Sequence, residues 1–214
     1  MSSKRHQALN TETLETAIDE LVSLDPDLEP VVRQYGTPPL WGREPGFTTL
    51  VQIILEQQIS LKAAQTVFQR LSDHLGGITP ANVLAVGEVG LKARGLTRQK
   101  SRYCHELALH VTDGRLALDS LADEPYVDGK KALLAVPGLG EWSVDVYYMM
   151  ALKHPDVWPH GDLALASAMQ GIKGLDQPPK RDQQTVIAEV WKPWRAVAAR
   201  LLWVHYLAER GQYP

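Results

Sequence analysis

Apolar residues recur along this chain with the period of a helix, and strand-like alternation is nearly absent. Leu14, Ala17, Ile18, Leu21 and Val22 fall at i, i+3, i+4, i+7 and i+8, after the capping residues Asn10 and Thr11. Leu28, Val31, Val32 and Tyr35 repeat the pattern over a shorter span. Residues 36–46 (GTPPLWGREPG) read as a loop stiffened by prolines, in which Trp41 has room to bury its ring. Phe47, Leu50, Val51, Ile54 and Leu55 form the next stripe. Ser60 caps a following helix in which Leu61, Ala64, Phe68, Leu71 and Leu75 face inward and which Gly76-Gly77 stops. Pro80 opens a short helix ending near Gly87. A glycine turn around Gly95 then precedes a helix that carries Arg98 and Lys100 in its first turn and runs on through Tyr103, Leu107 and Val111 to Gly114.

Further helices are predicted from Val127 to Ala135, from Glu141 to about Lys153, from after Asp162 to about Gly171, from Asp182 to Val190 and from Pro193 to Arg210. In the last, Trp194, Val197, Ala198, Leu201, Leu202 and Leu207 are the core candidates. The fold class is all-α, with about ten helices and loops gathered at the glycine turns.

Composition changes little in this picture. Across 214 residues, 44% are hydrophobic and 22% charged, as in an ordinary globular chain. A net charge of −3 gives no sign of nucleic acid from bulk charge. The only cysteine, Cys104, excludes an intrachain disulfide, a cysteine-rich zinc site and a four-cysteine iron–sulfur cluster. The seven histidines lack metal spacing, although His160 is close enough to Asp162 in sequence to tune it. No apolar run approaches transmembrane length, and the first residues lack the apolar centre of a signal peptide. An intracellular protein is therefore expected, cytoplasmic and nucleoid-associated if bacterial.

The chemistry concentrates between Val136 and Leu165 (VPGLGEWSVDVYYMMALKHPDVWPHGDLAL). Val136-Pro137-Gly138-Leu139-Gly140 is a tight turn between two helices, and its glycines let a partner approach the backbone. Amides of Gly140, Glu141 and Trp142 at its exit suit a DNA phosphate, a grip that needs no formal charge. The carbonyls of Leu134, Val136 and Leu139 form a candidate site for a structural Na+ or K+ bridging to that phosphate; no other cofactor is expected. Read without DNA, the same turn is an ordinary helical hairpin. About twenty residues later Asp162 stands at a loop-to-helix junction, where it serves as an N-cap and offers a carboxylate for chemistry. Asp145 is a rival on a helix face read as solvated, and Asp156 a rival that reads as a turn residue.

These residues resemble the helix-hairpin-helix DNA glycosylase superfamily, and within it the alkylation-repair branch, 3-methyladenine DNA glycosylase II. The resemblance runs from about Phe47 to Leu207 and rests on the hairpin, Trp142, Asp162 and Trp191-Lys192-Pro193-Trp194-Arg195, which matches the WKPWR signature of that branch. It implies a two-lobed helical fold with the active site in the cleft between lobes. The best-studied bacterial form of that branch carries an extra N-terminal β-rich domain, which is not expected in this chain because its helical core begins within the first dozen or so residues. The lobes would be about 47–125, and 1–46 with 126–214. It implies a monomer acting on double-stranded DNA that contains alkylated bases, with no membrane partner.

The resemblance also assigns roles. Asp162 would stabilise the oxocarbenium-like state formed when 3-methyladenine or 7-methylguanine leaves. The Schiff-base lysine of bifunctional members falls on Trp142, so base release without strand cleavage is expected. Trp203 matches a stacking tryptophan, and Trp142 would wall the base pocket. Two pocket tyrosines fall on Val146 and Val204, which leaves open a shifted substrate set of ethenoadenine, 1-methyladenine or 3-methylcytosine. Tyr147, Tyr148 and Tyr206 are near in sequence but point elsewhere on a helix. Gln57 and Gln58 stand where the family inserts a wedge into the gap left by the flipped base. Ser60, Arg98 and Lys100 are further candidate DNA contacts. The reading from a different class is a non-catalytic DNA-binding helix-hairpin-helix protein.

Overall fold

The protein's structure, a computed structural model, describes residues 7–213, so the outermost ends of the expected domain bounds lie outside the described residues. All regular structure among the described residues is helical. The α-helices are α1 (Thr11–Leu24), α2 (Glu29–Tyr35), α3 (Phe47–Glu56), α4 (Leu61–Leu75), α5 (Pro80–Ala93), α6 (Arg98–Thr112), α7 (Tyr126–Leu134), α8 (Glu141–Met150), α9 (Leu163–Lys173), α10 (Arg181–Ala188) and α11 (Arg195–Ala208). Short 3-10 turns stand before α2, before α7 and after α10.

The chain forms two compact units. One comprises Arg43–Tyr147; the other takes in 7–42 and 148–213. Residues 126–147, expected with the termini, thus belong with the central segment. The helix and hairpin of that stretch pack where Gln57 and Tyr103 hold them.

In the first unit α3 is the central element. Leu50, Val51, Ile53, Ile54 and Leu55 are all buried, so the helix is apolar almost all round, as a helix enclosed by others must be. It packs on α4 and α6, and α5 lies along α6. Each such side chain contributes roughly 1.5–3 kcal/mol when fully buried. Ser60 caps α4, accepting from Ala63 N at 3.3 Å, and Gly76 ends it in the left-handed conformation (φ 66°). Thr97 caps α6 through Lys100 N at 3.2 Å. Two expectations change here. Leu61 is 65% exposed, as the neighbouring Lys62 and Ala63 are also exposed and the buried stripe of α4 begins only at Ala64. The helix opened by Pro80 does break at Gly87 (φ 61°, ψ −179°), but helical structure resumes and continues to Ala93.

In the second unit the central element is α11. Val197, Ala198, Leu201, Leu202 and Val204 are buried, and the helix packs on α9, α1 and α2. Asn10 and Thr13 form a reciprocal capping box at the start of α1. Trp194 and Leu207, expected in the core, are only half-buried. Helix α8 ends at Met150, short of the expected Lys153, where the chain turns with a left-handed residue (Lys153, φ 52°).

Candidate functional site

Two assemblies carry the residues singled out above, one in each unit. In the first unit, α7 leads through Val136–Gly140 into α8. Val136 and Leu139 are buried and anchor the turn, while the carbonyl of Val136 accepts from Leu139 N at 3.1 Å. Gly138 has φ +94°, and the ring of Tyr103 lies directly against it. A Cβ built at Gly138 would come within 2.2 Å of Tyr103 Cγ. By contrast, a Cβ at Gly140 would meet nothing within 4 Å, so this end of the turn is open to an approaching partner. Val144 N bonds back to Gly140 O at 3.0 Å, which starts the helix there.

The hairpin is fastened to the turn after α3. Gln57 Nε2 donates to Gly138 O and to Ser143 Oγ, both at 2.9 Å. Lys100 Nζ donates to Leu55 O at 2.7 Å and to Gln57 O at 2.8 Å, closing the C-terminal end of α3. Partial burial lowers the Lys100 pKa, with a small opposing influence from Cys104. These bonds correct two expectations. Gln57 is a brace rather than a wedge, because its amide is committed to the hairpin. Lys100 spends two of its three ammonium N–H groups on backbone carbonyls, which makes it first a brace for the α3 turn. Gln58, in contrast, is exposed and held in the left-handed region (φ 60°), where a non-glycine residue is uncommon. Arg98 and Ser60 are also exposed, the latter with its hydroxyl on the cap of α4.

Asp145 is fully buried, not solvated. It accepts from Tyr126 OH at 2.7 Å and Lys130 Nζ at 2.8 Å, both from α7. The carboxylate therefore ties together the two helices that flank the hairpin. Val146 is 4% exposed and belongs to the core. Tyr147, also buried, accepts from Gly46 N at 3.0 Å, and burial raises its pKa despite that bond. Trp142 is half-buried in the first turn of α8.

The second unit holds Asp162. It is the N-cap of α9: Oδ1 accepts from Leu165 N at 2.9 Å. The same oxygen lies 3.4 Å from Trp203 Nε1, a long hydrogen bond. Trp203 is half-buried on α11, one residue before the core residue Val204, which is 1% exposed.

The loop leading to Asp162 is clamped by the Trp191–Arg195 segment. Arg195 grips Asp156 with Nε at 2.7 Å and Nη2 at 3.0 Å. Ala196 N donates to Pro155 O at 3.0 Å. The ring of Trp191 lies 5.5 Å from that of Trp158, and its Nε1 donates to the buried Asp25 at 2.7 Å, which also receives Lys173. The Lys192–Pro193 peptide is cis. Asp156 is thus a partner in an ion pair. None of these bonds was legible beforehand, since they join residues 39 to 166 apart.

Among the described residues no group of three or more His, Cys, Asp or Glu side chains could hold a metal ion, and no helix is long and apolar enough to cross a membrane.

Comparison with known proteins places this arrangement. Residues 51–196 match the profile of the family described as HhH-GPD superfamily base excision DNA repair protein. The chain is 31% identical to a probable bifunctional transcriptional activator/DNA repair enzyme AlkA of Mycobacterium tuberculosis, over 92% of this chain and 41% of that protein. It is 24% identical to a putative DNA-3-methyladenine glycosylase of Bacillus subtilis, over 73% of this chain and 58% of the other. The chain spans about half the length of these curated relatives. Its fold matches a DNA-3-methyladenine glycosidase from Bacillus halodurans (TM-score 0.80, 24% identity, 98% of this chain and 96% of that one). It also matches a 3-methyladenine DNA glycosylase of Schizosaccharomyces pombe solved with abasic DNA (TM-score 0.83, 22% identity, 93% and 99%).

Proposed function

Since the chain belongs to the HhH-GPD superfamily of base excision DNA repair proteins, we propose that it is a monofunctional DNA glycosylase that hydrolyses the N-glycosidic bond of alkylated purines. The observation that carries this reading is the contact between Asp162 and Trp203, which sets an anion at the N–H edge of an indole whose face is left for a base. A purine methylated at N3 or N7 is cationic and electron-poor, so an indole face attracts it by stacking and cation–π contact. Such a base leaves as a neutral species and needs no general acid. As the bond lengthens, positive charge grows on the sugar, and Asp162 stabilises that charge and orients the water that attacks C1′. The water loses its proton, the sugar keeps the hydroxyl, and an abasic site remains.

The other residues take supporting roles in this proposal. The base must leave the duplex before a carboxylate can reach its sugar. Gln58, exposed in its left-handed turn, fills the gap, while Gln57 and Lys100 hold that turn and the hairpin to each other. Gly140 and the first turn of α8 accept a phosphate. A Na+ or K+ on the carbonyls of Leu134, Val136 and Leu139 would join hairpin to phosphate. The turn already fixes the Val136 carbonyl through Leu139 N–H, and that oxygen keeps a second lone pair. With tryptophan at 142, the chemistry is hydrolysis without an imine.

Three readouts on alkylated duplex DNA test this. Free methylated base is expected in solution, with the strand intact until alkali cleaves it and no protein–DNA adduct trapped by borohydride. Duplex binding with no base released at any lesion would instead favour a non-catalytic binder. A trapped adduct would refute the monofunctional assignment. The valines at 146 and 204 favour one second reading, the same chemistry on ethenoadenine, 1-methyladenine or 3-methylcytosine, which a substrate panel separates.

A further inference from the structure

Trp203, which bonds Asp162, has an aromatic neighbour of its own. Trp41, in the proline-bounded 36–42 segment of the same unit, places its ring centroid 6.3 Å from that of Trp203 with the planes inclined by 56°. Neither ring is part of the core; both are half-buried. A tryptophan buried for packing alone usually finds a partner for its N–H. The indole N–H of Trp41 donates to no protein group among the described residues.

The segment bearing Trp41 is nevertheless held firmly. Arg200 on α11 is fully buried, yet no carboxylate among the described residues pairs with it. Its Nη1 donates to Pro39 O at 3.4 Å and its Nη2 to Met149 O at 2.9 Å. Burial draws the pKa of this guanidinium down to about 10. A buried cation without an anion is costly. What this one secures is the C-terminal end of α8 and the backbone two residues before Trp41. From the same helix, Trp203 projects toward Asp162 one turn further on.

The positions where an aromatic wall was expected do not supply one, since Val146 and Val204 are core residues. On this basis we infer that Trp41 is a specificity-determining residue that completes, with Trp203, an open aromatic corner for the base beside Asp162. The inference rests on the glycosylase reading. Rings inclined by 56° do not make a slot for a flat guest between parallel faces. They make a corner in which a base lies on one ring and presents its edge to the other. A cationic base there is within about 6 Å of two electron-rich faces. The corner therefore selects for positive charge on the base more than for its outline.

The test compares wild type with Trp41→Ala and Trp41→Phe in single-turnover release of 7-methylguanine, which is cationic, and ethenoadenine, which is neutral. Affinity for abasic-site duplex is measured in parallel. Trp41→Ala is expected to slow release of the cationic base about tenfold, Trp41→Phe to restore it to within about threefold, and abasic-DNA affinity to stay unchanged. The neutral base, where the wild type releases it, is expected to lose less than the cationic one. Unchanged release of 7-methylguanine by Trp41→Ala overturns the inference while leaving the glycosylase reading intact. Equal losses on both bases together with weakened abasic binding also overturn it, assigning Trp41 to structure. A wild type inactive on every lesion removes the glycosylase reading and this inference with it.

Discussion

Replacing Gly138 by alanine tests how the hairpin is built. Two separate costs follow from the geometry. At φ +94° an L side chain is strained, by roughly 1–2 kcal/mol. The new methyl would also fall 2.2 Å, 2.5 Å and 2.7 Å from Cγ, Cδ2 and Cβ of Tyr103, so the ring or the turn must move. Overpacking of this kind costs about 1–3 kcal/mol. Together they give a loss of about 2–5 kcal/mol, or a fall in Tm on the order of 10 °C for a chain of this size. The two terms can be separated. Tyr103→Ala removes the two ring contacts but keeps its own Cβ at 2.7 Å and the backbone strain, so Gly138→Ala should cost about 1–2 kcal/mol less in that background than in the wild type. Urea unfolding of the four proteins in this cycle provides the values. Additive losses, or a Gly138→Ala protein within 0.5 kcal/mol of wild type, would refute the packing of Tyr103 on the turn.

Gln57→Ala removes the brace between the α3 turn and the hairpin, and is expected to weaken abasic-DNA affinity while lowering stability by about 1–3 kcal/mol; a filter-binding titration and a urea melt check both. Arg195→Lys should lose most of the clamp on Asp156, because an ammonium cannot reproduce the two-point grip, and base release should fall with kcat affected more than KM. Cys104 is pushed up to about 12 by burial, with Lys100 opposing, from an ordinary value of 9.0. It should resist a thiol reagent at pH 8 until the protein is unfolded. The same shift gives a pH dependence: the native state keeps its proton while the unfolded thiol loses it, so the Cys104 contribution to stability is present below pH 9 and is lost toward pH 12. The stability difference between wild type and Cys104→Ala should therefore shift against the wild type across that window in urea melts.

Local features were legible in the sequence. The caps at Asn10, Ser60 and Asp162 and the stop at Gly76 depend on a few adjacent residues, and the structure uses each of them. The hairpin was legible for the same reason. What failed was anything that depended on a distant partner. Asp145 reads as a surface acid because helical periodicity does not reveal that Lys130 and Tyr126 of the preceding helix converge on it. Lys100 reads as a phosphate contact because its true partners, the carbonyls of Leu55 and Gln57, lie 45 and 43 residues upstream. Gln57 and Gln58 are identical neighbours in the sequence, yet one faces the hairpin and the other solvent. A single left-handed residue in the turn makes that difference. Trp41 reads in the sequence only as a ring buried in a loop; its neighbour Trp203 is 162 positions away, and no spacing rule joins them.

The central claim is that Asp162 carries the chemistry, and its role as an N-cap makes a clean test available. Asparagine caps a helix about as well as aspartate, so Asp162→Asn preserves the start of α9 and removes only the charge. The measurement is single-turnover release of 7-methylguanine from alkylated duplex by the two proteins, with abasic-DNA affinity and the urea midpoint recorded for each. The account predicts that Asp162→Asn retains its fold and its affinity for abasic DNA but releases base at least about a hundredfold more slowly. Release by Asp162→Asn at the wild-type rate would contradict it.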